Sequence, residues 1–142
     1  MRLPALALLL AAWAAGGVAA APIAASDANV ARMGRVQLTG DGGVRFSYPG
    51  VSFLLNFDGT RLSAVTQASG KDSYLDVLID GAPRKLRLEA GMQTTMLAEG
   101  LKPGAHTAEI VNRSETWQGT AALLSFDTDG AWRAPRRCRR AS

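Results

Sequence analysis

The chain has 142 residues, a net charge of +4 and a basic isoelectric point of about 9.8, a balance that first suggests an anionic partner. Position removes that suggestion: Arg2 and five arginines from Arg133 onward account for the excess, while residues 22–132 carry ten basic and twelve acidic side chains, so no nucleic-acid footprint is expected. One cysteine, Cys138, and one histidine, His106, exclude a disulfide framework, a Cys/His metal cluster and a self-contained Ser-His catalytic site of ordinary spacing; no metal or cofactor is expected.

The chain opens with Met1-Arg2, then an apolar run from Leu3 to Ala15, Gly16-Gly17, and small residues through Ala21 before Pro22. A positive start, a short apolar stretch and a small-residue end predict a secretory signal peptide over 1–21, cut after Ala20 or Ala21, and an exported protein, periplasmic or secreted. The run is too short for a durable membrane span. Residues 22–33 are Ala-rich and unpatterned and read as a flexible lead.

From Gly34 the texture becomes short β-favouring runs between Gly, Asp and Pro breaks. Strands are predicted near Arg35–Leu38, Val44–Ser47, Ser52–Phe57, Leu62–Thr66, Tyr74–Ile79, Arg84–Leu88, Thr94–Ala98, His106–Asn112 and Ala121–Phe126. Asp41-Gly42-Gly43, Asp58-Gly59, Ser69-Gly70, Asp80-Gly81 and Pro103-Gly104 supply the turns. Leu75, Val77 and Ile79 alternate with Tyr74, Asp76 and Leu78, as do Ala108 and Ile110 with Thr107, Glu109 and Val111, which places one face of each strand on a core. The expectation is one all-β, jelly-roll-like sandwich over 34–132, with 133–142 as a basic tail.

Within that pattern stand Gly34-Arg35, Phe46-Ser47-Tyr48-Pro49-Gly50, Phe57 with Gly59-Thr60, Tyr74 to Gly81, Leu97 to Leu101 with Gly104 and His106, then Arg113-Ser114-Glu115, Gly119 and Phe126. This set resembles the N-terminal domain of carbohydrate esterase family 2 over about residues 34–132. The resemblance implies a non-catalytic jelly roll preceding an SGNH hydrolase domain, in enzymes that remove acetyl groups from plant polysaccharides such as xylan. It also implies that the Gly-Asp-Ser nucleophile and the catalytic His lie in that second domain. The tail reads as the start of an interdomain linker, so the chain is expected to be an accessory domain cut off before its catalytic partner, and not an enzyme as it stands. The alternative is a free-standing secreted glycan-binding module.

Asp72-Ser73 is the dipeptide nearest to the esterase motif, but Lys71 replaces the glycine and the serine opens a strand, so it reads as a strand-edge residue. His106, at a strand start after a turn, reads as a structural donor to a loop carbonyl. Arg113 and Glu115, two apart, are expected to share a face and pair at the surface. Aromatic rings stack on pyranose C–H faces, so Tyr48, Tyr74, Trp117 and Trp132 are candidates for sugar contact. Trp117 is the first choice, and Trp132 is read as a domain-interface residue. The expected partners are an acetylated polysaccharide and an SGNH domain.

Overall fold

The computed structural model describes residues 20–135. The signal-peptide reading of 1–21 lies outside them except for Ala20 and Ala21, as does the tail from residue 136. Twelve strands form two antiparallel six-stranded sheets. The first holds β1 (Ile23–Ala24), β3 (Gln37–Leu38), β4 (Val44–Phe46), β6 (Leu62–Ala68), β9 (Gly91–Ala98) and β11 (Ala121–Thr128). The second holds β2 (Ala31–Met33), β5 (Ser52–Asp58), β7 (Ser73–Ile79), β8 (Ala82–Leu88), β10 (Ala105–Asn112) and β12 (Ala131–Arg133).

The eight central strands run β4-β11-β6-β9 in one sheet and β5-β10-β7-β8 in the other, which is jelly-roll order. Period-two patterning puts the core between the sheets: Phe53, Leu55 and Phe57 from β5, Leu75 and Val77 from β7, Ala108 and Ile110 from β10, and Leu123 and Phe126 from β11 are buried. Thr66, the polar member of an otherwise apolar inward row, is satisfied by Thr95 Oγ1 at 2.9 Å. The Asp80-Gly81 hairpin joins Ile79 to Ala82, and both turn residues have positive φ, 52° and 87°, as a two-residue turn of the twist-matching kind requires. Pro83 is tolerated because β8 ends its sheet, so a missing N–H breaks no ladder.

All nine predicted strands are present, most of them a residue or two longer than predicted. Three others were not predicted. Residues 22–33, read as a flexible lead, instead supply β1, which pairs with β11, and β2, which pairs with β5. Ala25 and Val30 between them are buried in the core, so the burial of two apolar side chains anchors the segment. Arg133, read as the first tail residue, closes β12 opposite Asn56, and its Nε lies 2.5 Å from Asp58.

Candidate functional site

Because successive strands cross between sheets, their connections gather at two ends of the sandwich. One end carries the β4–β5, β6–β7, β8–β9 and β10–β11 loops; the other carries β5–β6, β7–β8, β9–β10 and β11–β12. Tyr48 and Trp117 therefore share the first end, and Trp132 lies toward the second.

At the first end Trp117 sits on a three-residue 3-10 helix, Thr116–Gln118, and is 80% exposed. Glu115 and Gln118 bond reciprocally to each other's backbone, Glu115 N–H donating to Gln118 Oε1 at 2.7 Å, which fixes the turn that presents the indole. Glu115 is thus a cap and not the partner of Arg113. The strand ends at Asn112, so the same-face spacing no longer applies, and Arg113 pairs with Asp76 at 3.0 Å. Tyr48 is 44% exposed beneath the Arg35 guanidinium, 5.1 Å from the ring centroid. Its backbone is held by Asn112, whose Nδ2 donates to Tyr48 O at 2.8 Å, and nearby Ser114 Oγ accepts from Tyr74 N–H at 2.7 Å. Asn112 is buried and its amide is spent in this knot, which closes the sequon Asn112-Arg113-Ser114 to glycosylation in the folded state. Two shallow clefts of about 270 and 280 Å³ meet here at Arg45 and Thr120, one reaching Gln67 and Ser69, the other Arg35 and Tyr48.

At the second end Phe57 stands in register between His106 and Trp132, with ring centroids 5.6 and 6.5 Å away. Trp132 is half-buried against the core, and its Nε1–H donates to Ala21 O at 3.0 Å; the side chain is engaged inside the domain. The Tyr74 ring faces outward with Lys85 Nζ 4.6 Å from its centroid.

His106 uses both ring nitrogens: Nδ1 lies 2.6 Å from Asp80 Oδ2 and Nε2 lies 2.6 Å from Lys102 O. A carbonyl oxygen only accepts, so Nε2 donates, and the carboxylate opposite Nδ1 favours a second proton. The Asp80 hydrogen bond, then the Lys102 carbonyl, raise the His106 pKa, while the same bond and Thr107 N–H lower that of Asp80. No nitrogen is left to take a proton from a nucleophile, so the pair ties the β7–β8 turn to the β9–β10 loop. His106 contributes its stabilisation fully below its ordinary value of 6.5 and loses it as pH rises through its raised folded value. Asp80 contributes above its ordinary 3.8 and loses it as pH falls through its lowered one. Stability is therefore expected to be highest between those two ordinary values and to decline on the alkaline side, a decline that His106→Gln should flatten in thermal melts taken across pH.

Ser73 is buried at the start of β7 with no histidine beside it. Sequence reasoning missed Arg35 and Arg45 at the Tyr48 end and Asp80 as the partner of His106. The hairpin signal could have placed Asp80, but its meeting with His106 depends on the β7–β10 register, which spacing does not encode.

The family described as carbohydrate esterase 2 N-terminal matches residues 32–135. The chain belongs to that family. A member of the curated proteins, the acetylxylan esterase / glucomannan deacetylase of Cellvibrio japonicus, is 39% identical over 109 residues, which are 76% of this chain and 30% of the relative. The solved family two carbohydrate esterase from Cellvibrio japonicus superposes with a TM-score of 0.77 at 37% identity, over 84% of this chain and 37% of that one. The family two carbohydrate esterase from Clostridium thermocellum, solved with cellohexaose, gives 0.71 at 28% identity, over 78% and 35%. This member of the carbohydrate esterase 2 N-terminal family thus spans about a third of the length of the relatives it matches.

Proposed function

We propose that this chain acts as the non-catalytic N-terminal accessory domain of an exported esterase that deacetylates plant polysaccharides of the xylan or glucomannan class. The observation that carries this reading is that the family match and the likeness to the two Cellvibrio japonicus esterases cover only the N-terminal third of those enzymes, whose remaining length has no counterpart in residues 32–135. The commitment of His106 to Asp80 and Lys102 supports it, since the histidine has no free nitrogen for base catalysis. The chain alone is expected to release no acetate from acetylated xylan above the uncatalysed rate. Turnover that tracks protein concentration and disappears in His106→Gln would overturn the reading.

A free-standing glycan-binding module is the second reading, favoured by one observation: the exposed indole of Trp117, presented on a capped turn at the same end of the sandwich as Tyr48. It requires saturable heat on titration with xylan or mannan oligosaccharides. Trp117→Ala should then weaken affinity about tenfold, or ~1.4 kcal/mol, while leaving the melting temperature unchanged, because the ring makes no core contact. Absence of heat with every glycan removes this reading and leaves the first intact.

A further inference from the structure

We propose that the outer face of the first sheet carries, beside Tyr48, a site for the carboxylate of an acidic sugar, a uronic acid residue borne by a polysaccharide, held by Arg35 and Arg45. This site rests on the glycan-binding reading and adds to it the class of glycan and the place where its charge is read.

Strand register builds the site. Arg45 of β4, Ala122 of β11 and Gln67 of β6 stand opposite one another in a cross-strand row. One residue along, Phe46, Ala121 and Ala68 form the neighbouring row and belong to the core, so period-two alternation turns the first row outward. Its middle member is a single methyl group with a long polar side chain on the strand to either side. The result is a groove whose floor, Ala122, is buried although it faces away from the core. Ser69 and Thr120 close the groove toward the first end of the sandwich. They are pinned to each other: Thr120 N–H donates to Ser69 Oγ and Ser69 N–H to Thr120 O, both at 2.9 Å. That fixes the Ser69 oxygen and leaves its O–H to donate outward.

The charge comes from two arginines. Arg45 also lines the adjoining cleft, together with Arg35, which lies over the half-exposed ring of Tyr48. The three ion pairs among the described residues, His106 with Asp80, Arg113 with Asp76 and Arg133 with Asp58, use neither guanidinium. Asp41, the carboxylate that feels Arg45, is held by the Thr39 hydroxyl and Gly43 N–H. Two cations on one cleft without a paired carboxylate make a local positive potential, within a stretch, residues 22–132, that has ten basic and twelve acidic side chains. A polyanion would be repelled by the remainder, whereas one carboxylate on an otherwise neutral chain suits the patch. A guanidinium fork matches a carboxylate geometrically, the Tyr48 ring offers a surface to pyranose C–H groups, and Gln67, Ser69 and Thr120 offer amide and hydroxyl groups to sugar hydroxyls.

Isothermal titration of the chain at low salt tests this, comparing a neutral xylo-oligosaccharide with the same oligosaccharide bearing one glucuronic acid branch. The acidic ligand should bind about tenfold more tightly. Arg35→Gln and Arg45→Gln should each remove most of that margin without changing the affinity for the neutral ligand, and Arg84→Gln, at an exposed cation on β8 of the other sheet, should leave it intact. An unchanged melting temperature in the two arginine variants shows that the loss is not one of folding. Equal affinity for the two oligosaccharides overturns the carboxylate site and leaves the glycan-binding reading standing. Free glucuronate or inorganic phosphate binding as tightly as the acidic oligosaccharide reduces the patch to a simple anion site and overturns the glycan assignment. Binding of neither oligosaccharide removes the glycan-binding reading itself, and this site with it.

Discussion

Phe57→Ala should lower the unfolding free energy by about 3–5 kcal/mol, the range for deleting a fully buried aromatic ring. Phe57 has no exposed surface and is the middle of a cross-strand row, with His106 of β10 on one side and Trp132 of β12 on the other. Its removal leaves a void on the inner face of the sheet and takes away the surface against which both neighbours pack. For a domain of this size the melting temperature should fall by about 15 °C or more, a large share of a typical total stability of roughly 5–15 kcal/mol. Phe57→Leu, which keeps most of the volume, should cost about 1.5 kcal/mol or less. Thermal unfolding followed by circular dichroism measures both. Equal losses for the two variants would mean that ring volume is not what Phe57 supplies.

The row across β10, β5 and β12 also explains how the two ends of the sandwich divide their roles. At the second end the aromatic and titratable groups are engaged with one another: Phe57 with Trp132 and His106, and His106 with Asp80 and Lys102. They hold the hairpins together and fix where the chain leaves the domain. At the first end the aromatic rings reach solvent, Trp117 on its capped turn and Tyr48 partly covered by Arg35. The exposed rings of the first end are the ones the glycan-binding reading calls on, whereas those of the second end are already engaged within the domain.

The central jelly roll was legible because its strands combine period-two burial with turn chemistry. Asp80-Gly81 is the clearest example: two residues able to adopt positive φ between alternating strands leave little choice of connection. The edge strands were not legible. Ile23–Ala24, Ala31–Met33 and Ala131–Arg133 have two or three residues each, too few to show alternation, and they become strands only because β11 and β5 offer partners distant in sequence. The same non-local cause accounts for the sites. Trp117 and Tyr48 could be named as exposed aromatics from composition and context, but Trp132 turns inward because its strand pairs opposite Phe57. Arg113 finds Asp76 across the sheet and not Glu115 along the chain.

Gly130→Ala should cost about 3 kcal/mol or more, an effect near the upper end of what overpacking produces. A Cβ on Gly130 would stand 1.7 Å from the carbonyl oxygen of Asp58 and 2.6 Å from its carbon, and backbone atoms cannot swing aside as a flexible side chain can. The approach is tight because two loops are clasped at this point. Asp129 accepts hydrogen bonds from Thr60 N–H at 2.8 Å, from the Thr60 hydroxyl and from Arg61 N–H, and Thr128 Oγ1 donates to Arg61 O at 2.9 Å. Parting the loops to admit a methyl group would break that clasp and loosen β12 from β5, releasing Trp132 and redirecting Ala134. Gly70→Ala is the matched control. Its Cβ would meet nothing within 4 Å and its φ is not in the left-handed range, so it should be neutral or stabilise by about 0.5 kcal/mol through the unfolded chain. Urea titrations of the two variants separate the cases, and tryptophan fluorescence should shift to the red in folded Gly130→Ala as Trp132 leaves the core. Stability equal to that of Gly70→Ala would show that the β11–β12 hairpin does not control the exit.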